Sequence, residues 1–347
     1  MKLQAQDLRA AFDVCDAVPS DGVLEASQFV RIAQDSKELT LTLTGTIWAE
    51  GWATGDGTGK WTAYVDRRIF KAFLVAANAE VSMILKDQQL TLKSGNRVEL
   101  ALHADINGYE NWKPANKYDV SADLKRILDM YASYLPTAAG TEAIRAVNLR
   151  TDCVIATNAL SMLGVLGMTF PNNVLVPPEV VKFLAKNGGK LATDKGGVGV
   201  ALDQGYVYQP TSSTLLKFPT ADCQKQLTEA GKLPTMIVVG VQGLLDAVKT
   251  ATRFLMGSET SFVVSQEKGL RITVPLDTGS FERSVPATIK TALPEVKWAI
   301  RKALPWLEFV ATLDEEAKIE LAKTKSALVF RFSHQKKQYI FLSADIK

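Results

Sequence analysis

Gly55-Asp56-Gly57-Thr58-Gly59-Lys60 is the first stretch whose residue types could do chemistry, since glycine amides followed by a lysine can cradle phosphates. The spacing refuses it. The first glycine of G-x-x-x-x-G-K-[ST] would fall at Thr54, and Trp61 stands where a hydroxyl must hold magnesium. The run reads as a glycine-rich turn between strands. Ser161 lies in no G-x-S-x-G elbow, and the only histidines, His103 and His334, cannot be tied to a nucleophile. Neither histidine has a His, Cys or carboxylate at metal-ligand spacing, which argues against zinc. Asp314-Glu315-Glu316 reads as a solvated hairpin tip. Cys15, Cys153 and Cys223 are odd in number and far apart, which argues for a reducing compartment and against a disulfide framework; Cys15 and Cys153 read as small core residues, and nothing marks Cys223 as reactive. Trp48, Trp52 and Trp61 could stack on bases, but in a strand–turn–strand their first reading is packing. No convergent catalytic set emerges, so the expectation is a non-enzyme without metal or cofactor.

Whatever these residues do, ordinary globular elements must position them. Of 347 residues, 47 % are apolar and 22 % charged, which excludes disorder and collagen-like repeats. The formal net charge of +3 excludes a strongly basic nucleic-acid tail. The N-terminus lacks the apolar run of a signal peptide and nothing approaches a membrane span, so the expected location is cytoplasmic.

The elements repeat. Amphipathic helix patterns open at Leu8, Leu124 and Leu244, 116 and 120 residues apart, with apolar residues at three- and four-residue spacing. Strand patterns follow at Leu39–Thr44, Cys153–Thr157 and Gly269–Val274, where Leu43, Val154 and Ile272 occupy matching places. Second helices are predicted from Asp66, Pro177 and Pro294, aligning Ile69, Val180 and Val296. Hairpin strands close each unit, among them Val81–Leu85, Gln89–Leu92 and Arg97–Leu100, and in the third Phe309–Leu313, Lys318–Leu321, Ala327–Phe332 and Gln338–Leu342. Polar linkers are predicted at Gly108–Pro114 and Thr228–Pro234. The expectation is an α+β chain of three domains, 1–117, 118–233 and 234–347, each with two helices on mainly antiparallel sheet.

This layout resembles the bacterial-type DNA polymerase sliding clamp, the β subunit of the replicative polymerase. The resemblance covers essentially the whole chain and rests on element order more than on identities. Its best local matches are Leu41-Thr-Leu-Thr-Gly45-Thr46, Val174-Leu-Val-Pro177, Lys217-Phe218-Pro219 and Tyr339-Ile-Phe-Leu342. Two segments depart from the family: its Thr-Asp-Gly-His-Arg-Leu is Thr157-Asn158-Ala159-Leu160-Ser161-Met162, and its final Met-Pro-Met-Arg is Leu342-Ser343-Ala344-Asp345. Such divergence would suit a virus-encoded or otherwise specialised clamp.

The resemblance implies a processivity factor that encircles duplex DNA as a head-to-tail homodimer and tethers a replicative polymerase, with a clamp loader as further partner. The alternative is a monomeric clamp-like protein or decoy that engages replication partners without encircling DNA. It implies a partner-peptide pocket between domains two and three, with Ile144, Thr157, Leu160, Met162 and Pro219 on one wall and Trp298, Leu328, Ile340 and Leu342 on the other. It also implies that Arg97, Val98 and Leu100 meet Phe254 and Leu255 of the second copy.

A clamp's helices should present cations to phosphates. Over the six helices expected at 8–17, 66–77, 123–135, 177–187, 243–256 and 294–304 the net charge is +5, leaving −2 elsewhere. Arg67/Lys71, Lys182/Lys186, Lys249/Arg253 and Lys297/Arg301 are cation pairs four residues apart, which a helix places on one face. With Arg68, Lys125 and Arg126 they form the expected DNA-facing set.

Overall fold

A computed structural model of the chain describes residues 1–19, 25–104, 112, 114–135, 141–212, 214–255, 262–265 and 269–345. Apart from Trp112 and Pro114, the expected linker Gly108–Pro114 lies outside the described residues.

One succession of elements recurs three times. The first pass is β1 (Lys2–Gln4), α1 (Ala5–Cys15), β2 (Phe29–Asp35), β3 (Glu38–Thr44), β4 (Trp48–Thr54), β5 (Lys60–Asp66), α2 (Arg67–Ala76), β6 (Glu80–Lys86), β7 (Gln89–Ser94) and β8 (Asn96–Ala101). The second is β9 (Asn116–Tyr118), α3 (Ala122–Tyr134), β10 (Val147–Leu149), β11 (Cys153–Thr157), β12 (Ser161–Leu166), β13 (Val174–Val176), α4 (Pro178–Asn187), β14 (Lys190–Thr193), β15 (Gly197–Leu202) and β16 (Gly205–Pro210). An extra helix, α5 (Thr220–Lys232), precedes the third pass. That pass is β17 (Ile237–Gly240), α6 (Val241–Thr252), β18 (Phe262–Ser265), β19 (Leu270–Leu276), β20 (Gly279–Val285), the additional β21 (Ala287–Ile289), β22 (Val296–Trp298), α7 (Leu304–Leu313), β23 (Lys318–Lys323), β24 (Ala327–His334) and β25 (Lys337–Ala344).

The local causes are those of the sequence. Leu8, Ala11, Phe12 and Cys15 fall on one buried stripe of α1, and Leu39, Leu41 and Leu43 alternate on one face of β3, all fully buried. Asp66 caps α2, its Oδ1 accepting the backbone N–H of Arg68 at 2.8 Å and of Ile69 at 3.1 Å. Leu43, Val154 and Ile272 do occupy equivalent strands, β3, β11 and β19.

Three predicted elements are corrected. Pro294–Leu304 is not a helix: Val296 and Trp298 are buried around exposed Lys297 in β22, followed by a 3-10 turn at Ile300–Ala303. Its four-residue Val296/Ile300 spacing imitates a helical stripe, whereas the alternation across 296–298 is the strand signal. The third pass's second helix is instead α7, with Pro305 in its first turn, so Phe309–Leu313 is helical and not a strand. Thr228–Lys232 is no linker but the end of α5, which buries Cys223, Leu227 and Ala230.

The chain packs as two compact units, residues 1–125 with 182–211 and residues 126–181 with 212–347. Each is built on one long antiparallel sheet. The first has the order β5-β2-β3-β4-β16-β15-β14-β9 and the second β13-β10-β11-β12-β25-β24-β23-β17-β21. The two orders match strand for strand, so the β4·β16 seam of the first unit is equivalent to the β12·β25 seam of the second. Helix α1 covers the first seam on one face. Gly51 of β4 makes this possible, because a Cβ there would come within 2.0 Å of the Ala11 carbonyl oxygen. Helix α3 holds the equivalent place in the second unit, where Tyr131 Oη donates to the Val154 carbonyl and Tyr134 Oη to Ser161 Oγ. Two four-stranded sheets remain, β1-β6-β7-β8 in the first unit and β20-β19-β18-β22 in the second. No described helix is long and apolar enough to cross a membrane.

Candidate DNA-facing cations and partner seam

Arg67 is removed from the DNA-facing set by its surroundings. It is 8 % exposed. Its Nη1 donates to the Ser27 carbonyl at 3.2 Å, and its Nη2 donates to the Val18 carbonyl at 2.8 Å and to Asp16 Oδ1 at 2.9 Å. Its guanidinium therefore ties the segment after α1 to the start of α2, and the Arg67/Lys71 pair presents one outward cation. Lys71 itself is half-exposed and paired with Asp16 Oδ2 at 2.7 Å. Arg68 next door is 91 % exposed and only loosely paired with Asp66 at 3.4 Å.

On α4, Lys182 and Lys186 are both exposed on one face, as expected. On α6, Lys249 is paired with Glu308 of α7 at 2.9 Å, while Arg253 at the helix end is exposed. Lys125 is half-buried and Arg126 exposed on α3. Lys297 and Arg301 share no helix: one projects from β22, and the other lies in the 3-10 turn and donates to the Leu255 carbonyl at 3.0 Å. With the observed boundaries, the six recurring helices carry a net +2, leaving +1 elsewhere. The concentration of positive charge read from the sequence mostly disappears because α7 is apolar and its single charge is Glu308. Acid also sits near α1: partial burial and the neighbouring Asp16 raise the Asp13 carboxyl above its ordinary value.

The expected peptide pocket divides over two faces of the second unit's sheet. Met162 pairs with Leu342, and Leu342 with Val329, so these side chains share the face opposite α3. Met162, Ile340 and Leu342 are buried there, packed with Leu215, Phe218, Cys223 and Leu227, and Ile144 is half-buried against the same cluster. Helix α5 has closed this face. Leu227 lies so near Gly164 of β12 that a Cβ there would meet its Cδ1 at 2.1 Å. Leu328 and Trp298 belong to the other face. Trp298 is 1 % exposed and stacks on Phe330 at 4.9 Å, which in turn meets Trp306 of α7. Trp298 is thus a core residue and not a surface anchor.

At the rim, Pro219 is half-buried and Leu160 is 42 % exposed. Leu160 stands on a tight turn in which Asn158 Oδ1 accepts from the Leu160 and Ser161 amides and from Ser161 Oγ, while Thr157 Oγ1 donates to the Ser161 carbonyl. Ala159 holds φ +73°, in the left-handed region that favours glycine.

The expected interface residues are of two kinds. Among the described residues strand β8 is an edge of its sheet; Arg97 is exposed and pairs with Glu99, Val98 is half-buried, but Leu100 is 3 % exposed and belongs to its own sheet. Phe254 is 42 % exposed and stacks on Phe281 of β20, the edge of the other small sheet, at 4.3 Å. Leu255 is buried. The cysteines are all buried, and burial pushes the Cys153 thiol up to about 12 and Cys223 up to about 11.

Sequence reasoning missed an aromatic cluster on the outer face of the β4·β16 seam. Trp112 stacks on Tyr208 at 4.3 Å, Trp48 meets Tyr208 at 5.5 Å, and Trp52 meets Tyr206 at 5.0 Å edge-on. The alternation Trp48, Glu50, Trp52 and Tyr206, Tyr208 was the available signal; Trp112 stands alone in sequence.

No protein-family profile matches the chain, and no curated protein matches it by sequence. Solved structures do. The DNA polymerase III subunit beta of Pseudomonas aeruginosa superposes with a TM-score of 0.83 at 14 % identity, covering 100 % of this chain and 99 % of that one. A sliding clamp (DNA polymerase III subunit beta) of Bartonella birtlesii bound to griselimycin gives 0.82 at 13 %, with the same coverage. The Helicobacter pylori beta clamp in complex with diflunisal gives 0.76 at 12 %, again at 100 % and 99 %. From first described strand to last, the chain has the fold of the bacterial DNA polymerase sliding clamp.

Proposed function

We propose that the chain is a DNA sliding clamp and polymerase processivity factor, acting in the cytoplasm without chemistry or cofactor of its own. The observation that carries this reading is a matched pair of free edges. Strand β4 pairs with β16 and β12 pairs with β25; in the same succession, β20 corresponds to β4 and β12, and β8 to β16 and β25. A third seam of this kind would join β20 to β8, and among the described residues of one chain both strands are edges. Edge strands offer unpaired N–H and C=O groups to another chain. A head-to-tail contact that closes on itself after two copies makes a ring. With three domains per chain, 1–117, 118–233 and 234–347, two copies would supply six. Arg68, Lys71, Lys182, Lys186 and Arg253, with Lys125, Arg126, Lys249, Lys297 and Arg301, would give duplex phosphates a weak attraction without base readout. A replicative polymerase and a clamp loader are the expected partners.

The test is topological. The protein is loaded on circular DNA with its host's loader, the salt is raised, and the circle is then linearised. Retention before cutting and release after it is the expected result. Equal retention on circle and line, or equal loss from both, would sink the ring.

The net +2 of the helices favours a second reading, a clamp-like protein that engages replication partners without encircling DNA. Mass in solution separates the two: the chain is 37.8 kDa, and a ring requires at least twice that.

A further inference from the structure

We infer that the side of α2 carrying Ile69, Ala72 and Val75 is a docking surface for helix α6 of a second copy of this chain, and that Ala72 leaves this contact unfilled. The inference rests on the ring reading above and adds a helix contact to its strand seam. Two seams inside the chain show what such a contact is made of. Beside the β4·β16 seam, a cavity of about 430 Å³ is lined on α1 by Ala10, Asp13 and Val14 and on α4 by Phe183. Beside the β12·β25 seam, one of about 440 Å³ is lined on α3 by Arg126, Asp129 and Met130 and on α7 by Phe309. Counted from the matching Leu8 and Leu124, the α1 and α3 residues fall at the same three places. The opposite walls match as well. Helices α2, α4 and α7 are ten residues each, and Phe183 and Phe309 are both the sixth residue. Each is 9 % exposed.

Helices α6 and α2 are the remaining members of these two sets. Arg283 of β20 donates to Thr250 Oγ1 of α6 at 2.7 Å, which seats α6 on that edge strand. Counted from Leu244, the three lining places of α6 are Asp246, Lys249 and Thr250. The sixth residue of α2 is Ala72, and it is exposed. The third residue behaves alike: Val180 and Trp306 are buried in α4 and α7, whereas Ile69 is 49 % exposed. Val75, the ninth, is 75 % exposed where α4 and α7 have the polar Lys186 and Thr312. An apolar helix flank left bare at places that its counterparts bury is a flank short of its neighbour. Among the described residues β8 and β20 are both edges, so the helix that completes the set is α6 of a second copy. In place of Phe183 with Val14 and Phe309 with Met130, this contact has Ala72 with Thr250. The smaller filling makes it the loosest of the three.

The experiment measures self-association of the full-length chain by sedimentation. Ile69→Asp combined with Val75→Asp places two carboxylates on the exposed flank and should weaken dimerisation by about tenfold or more. Ala72→Phe, which restores the missing aromatic, should strengthen it by about tenfold. To locate the contact, Ala72→Cys and Lys249→Cys proteins are mixed and treated with a short bis-maleimide, the three native cysteines being buried. A covalent dimer should form in the mixture and with neither variant alone, because a head-to-tail ring sets each α2 beside an α6 and never beside another α2. Wild type that stays at monomer mass at every concentration would remove the ring reading, and this surface with it. A wild-type dimer whose mixed variants do not cross-link, or which the paired aspartates leave unchanged, would overturn the surface and leave the ring standing. An Ala72→Phe dimer no tighter than wild type would overturn the unfilled contact.

Discussion

Arg67 and Arg68 are neighbours in sequence with opposite surroundings, and exchanging each for alanine should have opposite consequences. Arg67→Ala removes a donor from the buried carbonyls of Val18 and Ser27 and breaks the ion pair with Asp16, whose side chain is 26 % exposed. Breaking a buried ion pair costs about 3–5 kcal/mol. Because Asp16 keeps Lys71 at 2.7 Å and some water, the lower end applies, about 3 kcal/mol. Arg68→Ala removes a 91 % exposed side chain whose pairing with Asp66 is 3.4 Å long, and surface pairs of that kind are worth under about 1 kcal/mol. The DNA readout should reverse the order. Removing one cation from a phosphate lowers the salt slope by about one unit, so Arg68→Ala should lower it and Arg67→Ala should not. Urea unfolding, with hydrogen exchange of the α2 amides to localise the loss, gives the stability arm; duplex affinity against salt gives the other. A stable Arg67→Ala protein with a reduced salt slope would refute the argument.

Two further outcomes follow from the same geometry. Trp298→Ala should destabilise the second unit by about 3–5 kcal/mol, the usual cost of emptying a buried aromatic site, and unfolding midpoints near wild type would return Trp298 to the surface. Asp66→Ala should cost about 1 kcal/mol at neutral pH as a lost helix cap. Partial burial acts to raise the Asp66 pKa, but the accepted amides of Ile69 and Arg68 outweigh it and hold the carboxyl below its ordinary 3.8. A folded pKa below the unfolded one gives stability that is present above 3.8 and lost as pH falls through the folded value, so the difference between Asp66→Ala and wild type should shrink on acidification. A difference that stays constant from neutral to acid pH would show that the ionised carboxylate is not the cap.

The sequence by itself determined the elements whose signal is local. The alternation of Leu39, Leu41 and Leu43, the helical stripe of Leu8 to Cys15 and the matching places of Leu43, Val154 and Ile272 each need only a period and a spacing, which the chain states directly. That is why the α+β class and the recurrence were legible, and why the clamp resemblance could be drawn at so little identity. Where two periods compete in one segment, the sequence did not decide: Val296 and Trp298 alternate as in a strand, Val296 and Ile300 repeat as on a helix, and only pairing of β22 with β18 settled it. Arg67 reads as a cation for DNA until Asp16, Val18 and Ser27, some forty to fifty residues away, are folded around it. Met162 and Leu328 read as two walls of one pocket until their strands are placed in a single sheet, where one residue of register sends them to opposite faces. The free edges β8 and β20, and the aromatic face shared by Trp48, Trp112 and Tyr208, likewise belong to no segment of sequence. They arise from pairings between residues distant along the chain, and it is such pairings, rather than local pattern, that decide which side chains a partner can reach.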